Sequence, residues 1–295
     1  MKQGSFPQKD AAFLTAADAR RMEAAEEYGA LSYAQAIQPL HPEWGSIWEQ
    51  FQGGHLVFVA RHSMVGRAHG LGFAGPITPQ DIEHIEEFYF DRKYDAQVDV
   101  CPYAHPSLFE SLKERGFQVA EFNQTLARWI QRNERFEKPS LNGLEIRAVK
   151  PEEAPAWSRM LAHVFMGDHA PQYESFFEPW ASGAHRLTLA AFVEGKMIAG
   201  CGGVIVPEHK MAGFFGAATL SEHRGRGIQA AFMQERLRLT QEAGCDLAVT
   251  LTMPGTTSQR NAERAGFRTA YTKVVVSKKD PTSCSSAPPV VSYSG

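Results

Sequence analysis

The sequence predicts a mixed α/β protein built from two similar halves, and three observations carry that expectation. The second half reads as a meander of strands followed by helix, strand, helix and strand, which is the order of a mixed sheet with helices packed on it. The closing pattern of strand, short helix, Gly-Phe and strand occurs twice, with Gly116-Phe117 and Gly266-Phe267 150 residues apart. A chain of 295 residues suits two domains at about 150 residues each. A repeat of this length marks a duplicated domain and not a solenoid.

The first half opens with an Ala- and Glu-rich helical stretch over about 11–38. Leu56 to Ala60 reads as a strand buried on both faces. A second strand, weakened by glycines, is expected around 65–73. Thr78, Pro79 and Asp81 then form a helix start, with Thr78 as N-cap, Pro79 at the first helical position and Asp81 three residues after the cap. Ile82, Ile85 and Phe88 give that helix an apolar face. Val98 to Cys101 is strand-like, Leu108 and Leu112 lie one helical turn apart, Gly116 stops the helix, and a strand follows over Thr125 to Arg128.

The second half begins with strand-like Leu144 to Val149 and an amphipathic helix over Pro151 to Phe165, with Trp157, Met160, Leu161 and Val164 on one face. Leu187–Val193 and Met197–Val206 flank the turn Glu194-Gly195-Lys196 and read as a hairpin. Pro207–Lys210 is a second turn and Ala212–Leu220 a third strand. A helix running to about Ala243 stops at Gly244. The strand Asp246–Leu251, a short helix over 257–265, and the strand Thr272–Val276 close the half.

These patterns divide the chain into a first domain over 1–131, a polar Pro-containing linker over 132–142, a second domain over 143–278, and a Ser- and Pro-rich tail over 279–295 read as mobile. Hydrophobic residues make up 43% and the net charge is −3. That balance supports a sizeable core and argues against a dedicated nucleic-acid binder. Arg-Gly occurs too few times, without interleaved aromatics, for an RNA-binding segment. Cys101, Cys201, Cys245 and Cys284 are widely spaced, so neither a disulfide framework nor a thiolate metal site is expected, and the eleven His show no ligand spacing. The longest apolar run, Met197 to Val206, is too short to cross a membrane, and the N-terminus has no secretory apolar region. A cytoplasmic monomer or homodimer is the expectation.

The segment that carries chemistry joins a strand to a helix: Thr219-Leu220-Ser221-Glu222-His223-Arg224-Gly225-Arg226-Gly227-Ile228-Gln229. The first N–H groups of a helix have no internal partner and attract anions. Gly225 and Gly227 carry no Cβ, so a phosphate can approach the main chain, and Arg224 and Arg226 add positive charge. The pattern predicts a pyrophosphate cradle. The plainer reading is a helix start with two turn glycines and solvated arginines. It is neither a Walker loop, since no Gly-Lys-Ser/Thr follows, nor a dinucleotide fingerprint, since hairpin strands precede it.

In this context the segment resembles the GNAT superfamily of acetyl-CoA-dependent N-acetyltransferases over about residues 143–277. Arg224 and Gly227 match the family's Gln/Arg-x-x-Gly-x-Gly/Ala loop, and Gln229 departs from its last position. The resemblance implies that acetyl-CoA binds Arg224, Gly225, Arg226, Gly227, Ile228 and Gln229. It implies that main-chain groups of Ala217, Ala218 and Thr219 pair with the pantetheine arm and polarise the thioester, and that Ser258 and Asn261 lie near the cofactor. For those last two, a helix N-cap and a surface amide are the plainer roles. The first half then looks like a degenerate copy: only Gly75-Pro76-Ile77 precedes its Thr78 helix, without an Arg-Gly-x-Gly. Pro76 and Pro79 lack the N–H groups a phosphate needs. This half is expected to bind no acetyl-CoA and to shape the acceptor site instead.

Attack on a thioester needs a neutral amine, a stabilised oxyanion and, helpfully, a proton for the thiolate. Ala262 stands where many family members place the tyrosine that protonates the thiolate, and the strand 212–220 lacks the family's common glutamate. Tyr271 is a weak substitute acid. His163, Asp168, His169 and Glu174 lie where the family's acceptor site would be, with a surface role as the plainer reading. Tyr173, Phe176, Phe177 and Trp180 line that site or belong to the core. The expected function is acetyl transfer from acetyl-CoA to a small-molecule amine or peptide, without a metal. The alternative is a non-catalytic acyl-CoA-binding or protein-interaction module.

Overall fold

A computed structural model describes residues 14–282 except 62, 64, 142 and 182–184. The first half consists of α1 (Ala16–Leu40), β1 (Ile47–Phe51), β2 (Gly54–Phe58), β3 (Ala68–His69), α2 (Pro79–Phe90), β4 (Ala96–Val100), α3 (Ser107–Glu114) and β5 (Gln118–Trp129). The second half follows with β6 (Glu145–Ala148), α4 (Ala154–Met166), α5 (Glu178–Ala181), β7 (Leu189–Val193), β8 (Lys196–Val206), β9 (Met211–Thr219), α6 (Ile228–Glu242), β10 (Leu247–Thr252), α7 (Thr257–Arg264) and β11 (Arg268–Lys278).

Local chemistry explains most boundaries. The Thr78 hydroxyl accepts from the Asp81 N–H, and the Asp81 carboxylate accepts from the Thr78 N–H at 2.7 Å, as the sequence predicts. Thr15 and Asp18 start α1 in the same way, so the helix begins later than the expected 11. Gly116 and Gly266, at φ +82° and +89°, end α3 and α7 in the left-handed conformation that favours glycine. The expected strand over 65–73 shrinks to Ala68–His69, because the glycines around it leave the ladder. Strand β1 has no counterpart in the sequence reading; its edge position exposes it, so it lacks an apolar run.

All eleven strands form one sheet in the order β1-β2-β3-β4-β11-β5-β10-β9-β8-β7-β6. Adjacent residues of a strand face opposite sides. On β8, a Cβ at Gly200 would meet Trp157 of α4, while Cys201 packs with Ile228 and Phe232 of α6. On β2, His55 meets Glu27 of α1, while Leu56 packs with Ile82 and Ile85 of α2. Helices α1, α4 and α5 therefore cover one face, and α2, α3, α6 and α7 the other.

The two halves exchange their last strands. β5, from the first half, lies between β10 and β11, and pairs with β10 from Leu247↔Trp129 to Thr252↔Gln124. β11, from the second half, pairs with β4 from Val274↔Val100 to Lys278↔Ala96. Each half's sheet is completed by the other half. The polar segment over 132–141 runs back along α6, where Gln234 donates to the Glu137 carbonyl at 2.9 Å and Gln241 to that of Glu134 at 2.8 Å, and residue 142 lies outside the described residues. Of the segment read as a tail, residues 279–282 are placed: Asp280 is buried and its N–H donates to Asp95 Oδ1 at 2.9 Å. Residues 283–295 lie outside the described residues.

The contact of α1 with the sheet changes character along its length. Tyr33, Ala34 and Ile37 join an apolar cluster with Trp157, Leu161 and Phe177. One turn or more earlier, Glu23 and Glu26 meet Lys273 of β11, which is fully buried. Lys273 also reaches Asp99 Oδ2 at 3.3 Å, and His69 Nδ1 donates to the same oxygen at 2.8 Å. Burial opposes both charges, but Lys273, His69 and Arg67 hold the Asp99 carboxyl well below the usual range. Asp99, Glu23 and Glu26 hold Lys273 well above its own.

Candidate functional site

Strands β9 and β10 run parallel and pair only from Leu247↔Met211 to Thr250↔Phe214. Past that point β9 continues along β8 while β10 continues along β5, so the two diverge and open a cleft in the middle of the sheet. Phe215, Gly216 and Ala217 are half-exposed there, in a strand buried on either side of them. Between Gly202↔Phe215 and Gly200↔Ala218, β8 contributes one residue and β9 two. This bulge bends β9 away from β10. Arg236 of α6 supports it from behind: its side chain is 1% exposed and donates to the Gly202 carbonyl at 3.0 Å. Burial lowers the Arg236 pKa.

Beyond Thr219, a turn at Ser221–His223 leads to Gly225 and Gly227, at φ +74° and +76°, and then to α6. No side chain caps α6. Among the described residues, then, no side chain takes up the first N–H groups of this helix. A Cβ built on Gly225 would meet nothing within 4 Å, and one on Gly227 would meet only Leu141 Cδ2 at 4.0 Å. The loop is thus open to a bulky anion. The equivalent helix of the first half, α2, presents the reverse arrangement, because Asp81 already occupies its N-terminus with a carboxylate.

The side chains of the loop are held at its base. Arg224 Nε donates to the Thr219 carbonyl at 3.3 Å, and Gln229 Nε2 donates to Thr219 Oγ1 at 3.1 Å. The Gln229 side chain therefore folds back onto β9 and leaves the cradle clear. Arg226 Nη1 lies 3.2 Å from His223 Nδ1, and Ile228 is buried under the helix start with Phe232 and Ala231. Ala217 is half-exposed, and Ala218 and Thr219 are buried.

Helix α7 begins shortly after β10 ends and packs on β10 and α6, so it borders the cleft from the far side. Its N-cap is Thr256, whose hydroxyl accepts from the Gln259 N–H at 3.3 Å. Ser258, read above as a cap, lies two residues further on in the first turn and is exposed, and Asn261 is half-buried in mid-helix. Ala262 is fully buried against Phe267 and Leu126.

The acid–base candidates do not gather in one place. Tyr271 is buried under α1, with its hydroxyl donating to Glu23 Oε1 at 2.7 Å. Burial, then the Glu23 charge, pushes its pKa far up. That holds it in the Lys273 cluster and in the protonated state. His163 ends α4, while Asp168, His169 and Glu174 lie exposed in and after the turn that follows. Ser158, buried, accepts from the Phe177 N–H at 3.0 Å and donates to the Glu174 carbonyl, fixing that turn. Glu222, which the sequence reading did not single out, lies in the turn after β9. Its carboxyl is held below the usual range by its own N–H and the Ser221 hydroxyl. The signal was within reach, since Glu222 and His223 belong to the same motif run as Arg224. Tyr173, Phe176 and Phe177 are core residues, whereas Trp180 is half-buried and reaches the cleft. Among the described residues no group of three or more His, Cys, Asp or Glu could hold a metal ion, and no helix is long and apolar enough to cross a membrane.

Comparison with known proteins agrees with this geometry. Residues 148–267 match the model of the acetyltransferase (GNAT) family. No curated protein matches the chain. Among solved structures, a GCN5-related N-acetyltransferase from Kribbella flavida is 19% identical, with a TM-score of 0.58 over 84% of this chain and 95% of that one. A GCN5-related N-acetyltransferase from Sphaerobacter thermophilus is 14% identical, with a TM-score of 0.52 over 93% and 96%. A tandem GNAT protein from the clavulanic acid biosynthesis pathway is 14% identical, with a TM-score of 0.53 over 77% and 74%. At these identities the three similarities speak for the fold. Together with the repeated strand–helix–strand ending, they show that residues 148–267 are similar to the acetyltransferase (GNAT) family and that the chain has the fold of the GCN5-related N-acetyltransferases named above.

Proposed function

We propose that the second half, 143–278, transfers an acetyl group from acetyl-CoA to an amine, by direct attack of the amine on the thioester. The observation that carries this reading is the uncapped start of α6 behind Gly225 and Gly227, opening at the cleft between β9 and β10. Main-chain N–H groups of Gly225 to Gln229 would hold the pyrophosphate, with Arg224 and Arg226 beside them. The diverging edge of β9 at Ala217 to Thr219 would pair with the pantetheine arm and take the developing oxyanion. Ser258 and Asn261 face the arm from α7 in this reading. The acceptor, a small-molecule amine or a peptide, would approach on the face covered by α1, α4 and α5, so the first half supplies part of its wall through α1.

A neutral histidine, His163 or His223, would take the proton of the amine, directly or through water. A thiolate leaves without protonation when no acid is at hand, so the buried Ala262 does not stop the reaction. Titration calorimetry with acetyl-CoA tests the first part: binding in the micromolar range supports it, and no heat at millimolar ligand defeats it. Release of free CoA thiol with a panel of amines tests the second. A second reading, a non-catalytic acyl-CoA-binding module, is favoured by the sequestered Tyr271 and by Ala262. It survives only if acetyl-CoA binds and no amine yields thiol.

A further inference from the structure

The bulge in β9 places two consecutive residues, Phe215 and Gly216, toward the α1 side of the sheet. Gly216 has φ +56°, and a Cβ built on it would lie 2.7 Å from the six-membered ring of Trp180. The indole thus rests on bare main chain, beside the half-exposed stretch of β9. It is also fixed. Its ring packs edge-on to Phe215 at 4.8 Å and Phe177 at 5.2 Å, and to Tyr33 of α1 at 6.1 Å. The Tyr33 hydroxyl donates to the Phe176 carbonyl at 2.6 Å, and the Thr188 hydroxyl donates to the Trp180 carbonyl. Tyr33, Phe177, Phe215 and the Gly216 main chain hold this ring in place, so a ligand cannot move it without disturbing α1, α5 and β9 together.

We propose that Trp180 sets the acyl chain length at this site: its ring closes the α1 side of the β9 bulge, admits an acetyl group and turns away long-chain acyl-CoA thioesters. This inference rests on the acyl-CoA reading of the cleft, in which the thioester lies along Ala217 to Thr219. An acyl carbon two or three bonds beyond the carbonyl would then meet the indole. A rigid aromatic wall rejects surplus methylenes more sharply than a flexible one, typically by about tenfold or more per unit that does not fit.

The test compares free CoA, acetyl-CoA, butyryl-CoA and hexanoyl-CoA by titration calorimetry against the full chain, Trp180→Ala and Trp180→Phe. The unsubstituted protein is expected to bind hexanoyl-CoA at least about tenfold more weakly than acetyl-CoA. Trp180→Ala should bring the two within about threefold, and Trp180→Phe, which keeps an aromatic ring and the packing on Phe177, should fall between. Equal affinity of the unsubstituted protein for acetyl- and hexanoyl-CoA would overturn the proposal. So would an unchanged preference in both variants while acetyl-CoA still binds. If neither free CoA nor acetyl-CoA binds the unsubstituted protein, the reading beneath the proposal has failed, and that outcome is distinct from a chain-length preference that ignores Trp180.

Discussion

Lys273 of β11 pairs with Asn123 of β5, the residue 150 positions before it, and the pairs on either side are mirror images about this one. Thr272 faces Gln124 and Val274 faces Phe122. Gln124 is the counterpart of Val274 and Phe122 that of Thr272, each 150 positions earlier, so the two pairs interchange under the offset. The offset of 150 between the two Gly-Phe pairs is therefore built into the hydrogen bonding of the sheet. A pseudo-twofold axis passes between β5 and β11, and the two copies meet across it as the subunits of a symmetric dimer would.

The exchange of β5 and β11 predicts that neither half folds alone as a monomer. A fragment of 143–295 lacks the strand that pairs with Leu247–Thr252, and a fragment of 1–131 lacks the one that pairs with Ala96–Val100. Each would expose a central strand edge, which aggregates or pairs with another copy. Circular dichroism and size-exclusion chromatography of the separate fragments should show unfolded, aggregated or dimeric material, with co-expression restoring a cooperative melt. A monomeric fragment of 143–295 with its own sharp thermal transition would contradict this.

Gly227→Pro should remove acetyl-CoA binding. Gly227 has φ +76°, which proline cannot adopt, and the substitution also deletes an N–H from the cradle. Gly227→Ala is the milder companion. It strains the turn by about 1–2 kcal/mol and adds a methyl group where phosphate would approach. Calorimetric affinity should rank native, then Ala, then Pro, with the far-ultraviolet circular dichroism of the Ala variant unchanged. Retained tight binding by the proline variant would count against the cradle.

Lys273→Met should destabilise the protein by about 3–5 kcal/mol, because it strands the Glu23 and Asp99 carboxylates inside without their cation. Combining it with Glu23→Gln should recover part of the loss, measured by urea denaturation. Strictly additive losses in the double variant would mean that the pair is not coupled.

Stability should fall at high pH. Burial pushes the Cys201 thiol up to about 11, the Cys101 thiol up to about 12 and the Tyr94 hydroxyl up to about 12, against ordinary values of 9.0 for a thiol and 10.0 for a tyrosine. Each group is neutral in the folded chain over a range where the unfolded chain ionises it. Their contribution is complete below about pH 9 and is lost as pH climbs through 11 to 12. Denaturation midpoints measured between pH 8 and pH 11 should decline on this schedule. A flat profile would mean that these groups are reached by water in the native state.

Much of this arrangement was legible in the sequence, and what was missed has specific causes. Caps and stops act within a few residues, so Thr78, Asp81, Gly116, Gly244 and Gly266 marked their helices correctly. The open loop at Gly225 and Gly227 was legible for the same reason. The strand exchange was not, because a repeat says that two segments are alike and nothing about which sheet each one joins. Lys273 reads as a solvated residue, and only the carboxylates brought to it by α1, 250 and 247 residues away, make it a buried one. The fate of Tyr271 turned on Glu23 in the same way. Trp180 was seen, but its position on Gly216 depends on a bulge that no periodicity announces.

The lent strand also bears on why the first copy persists. That copy has filled the start of α2 with its own carboxylate. It is not free to disappear. A chain that lost it would leave Leu247–Thr252 as a raw edge in the middle of its second half, so the first copy serves as the other's scaffold.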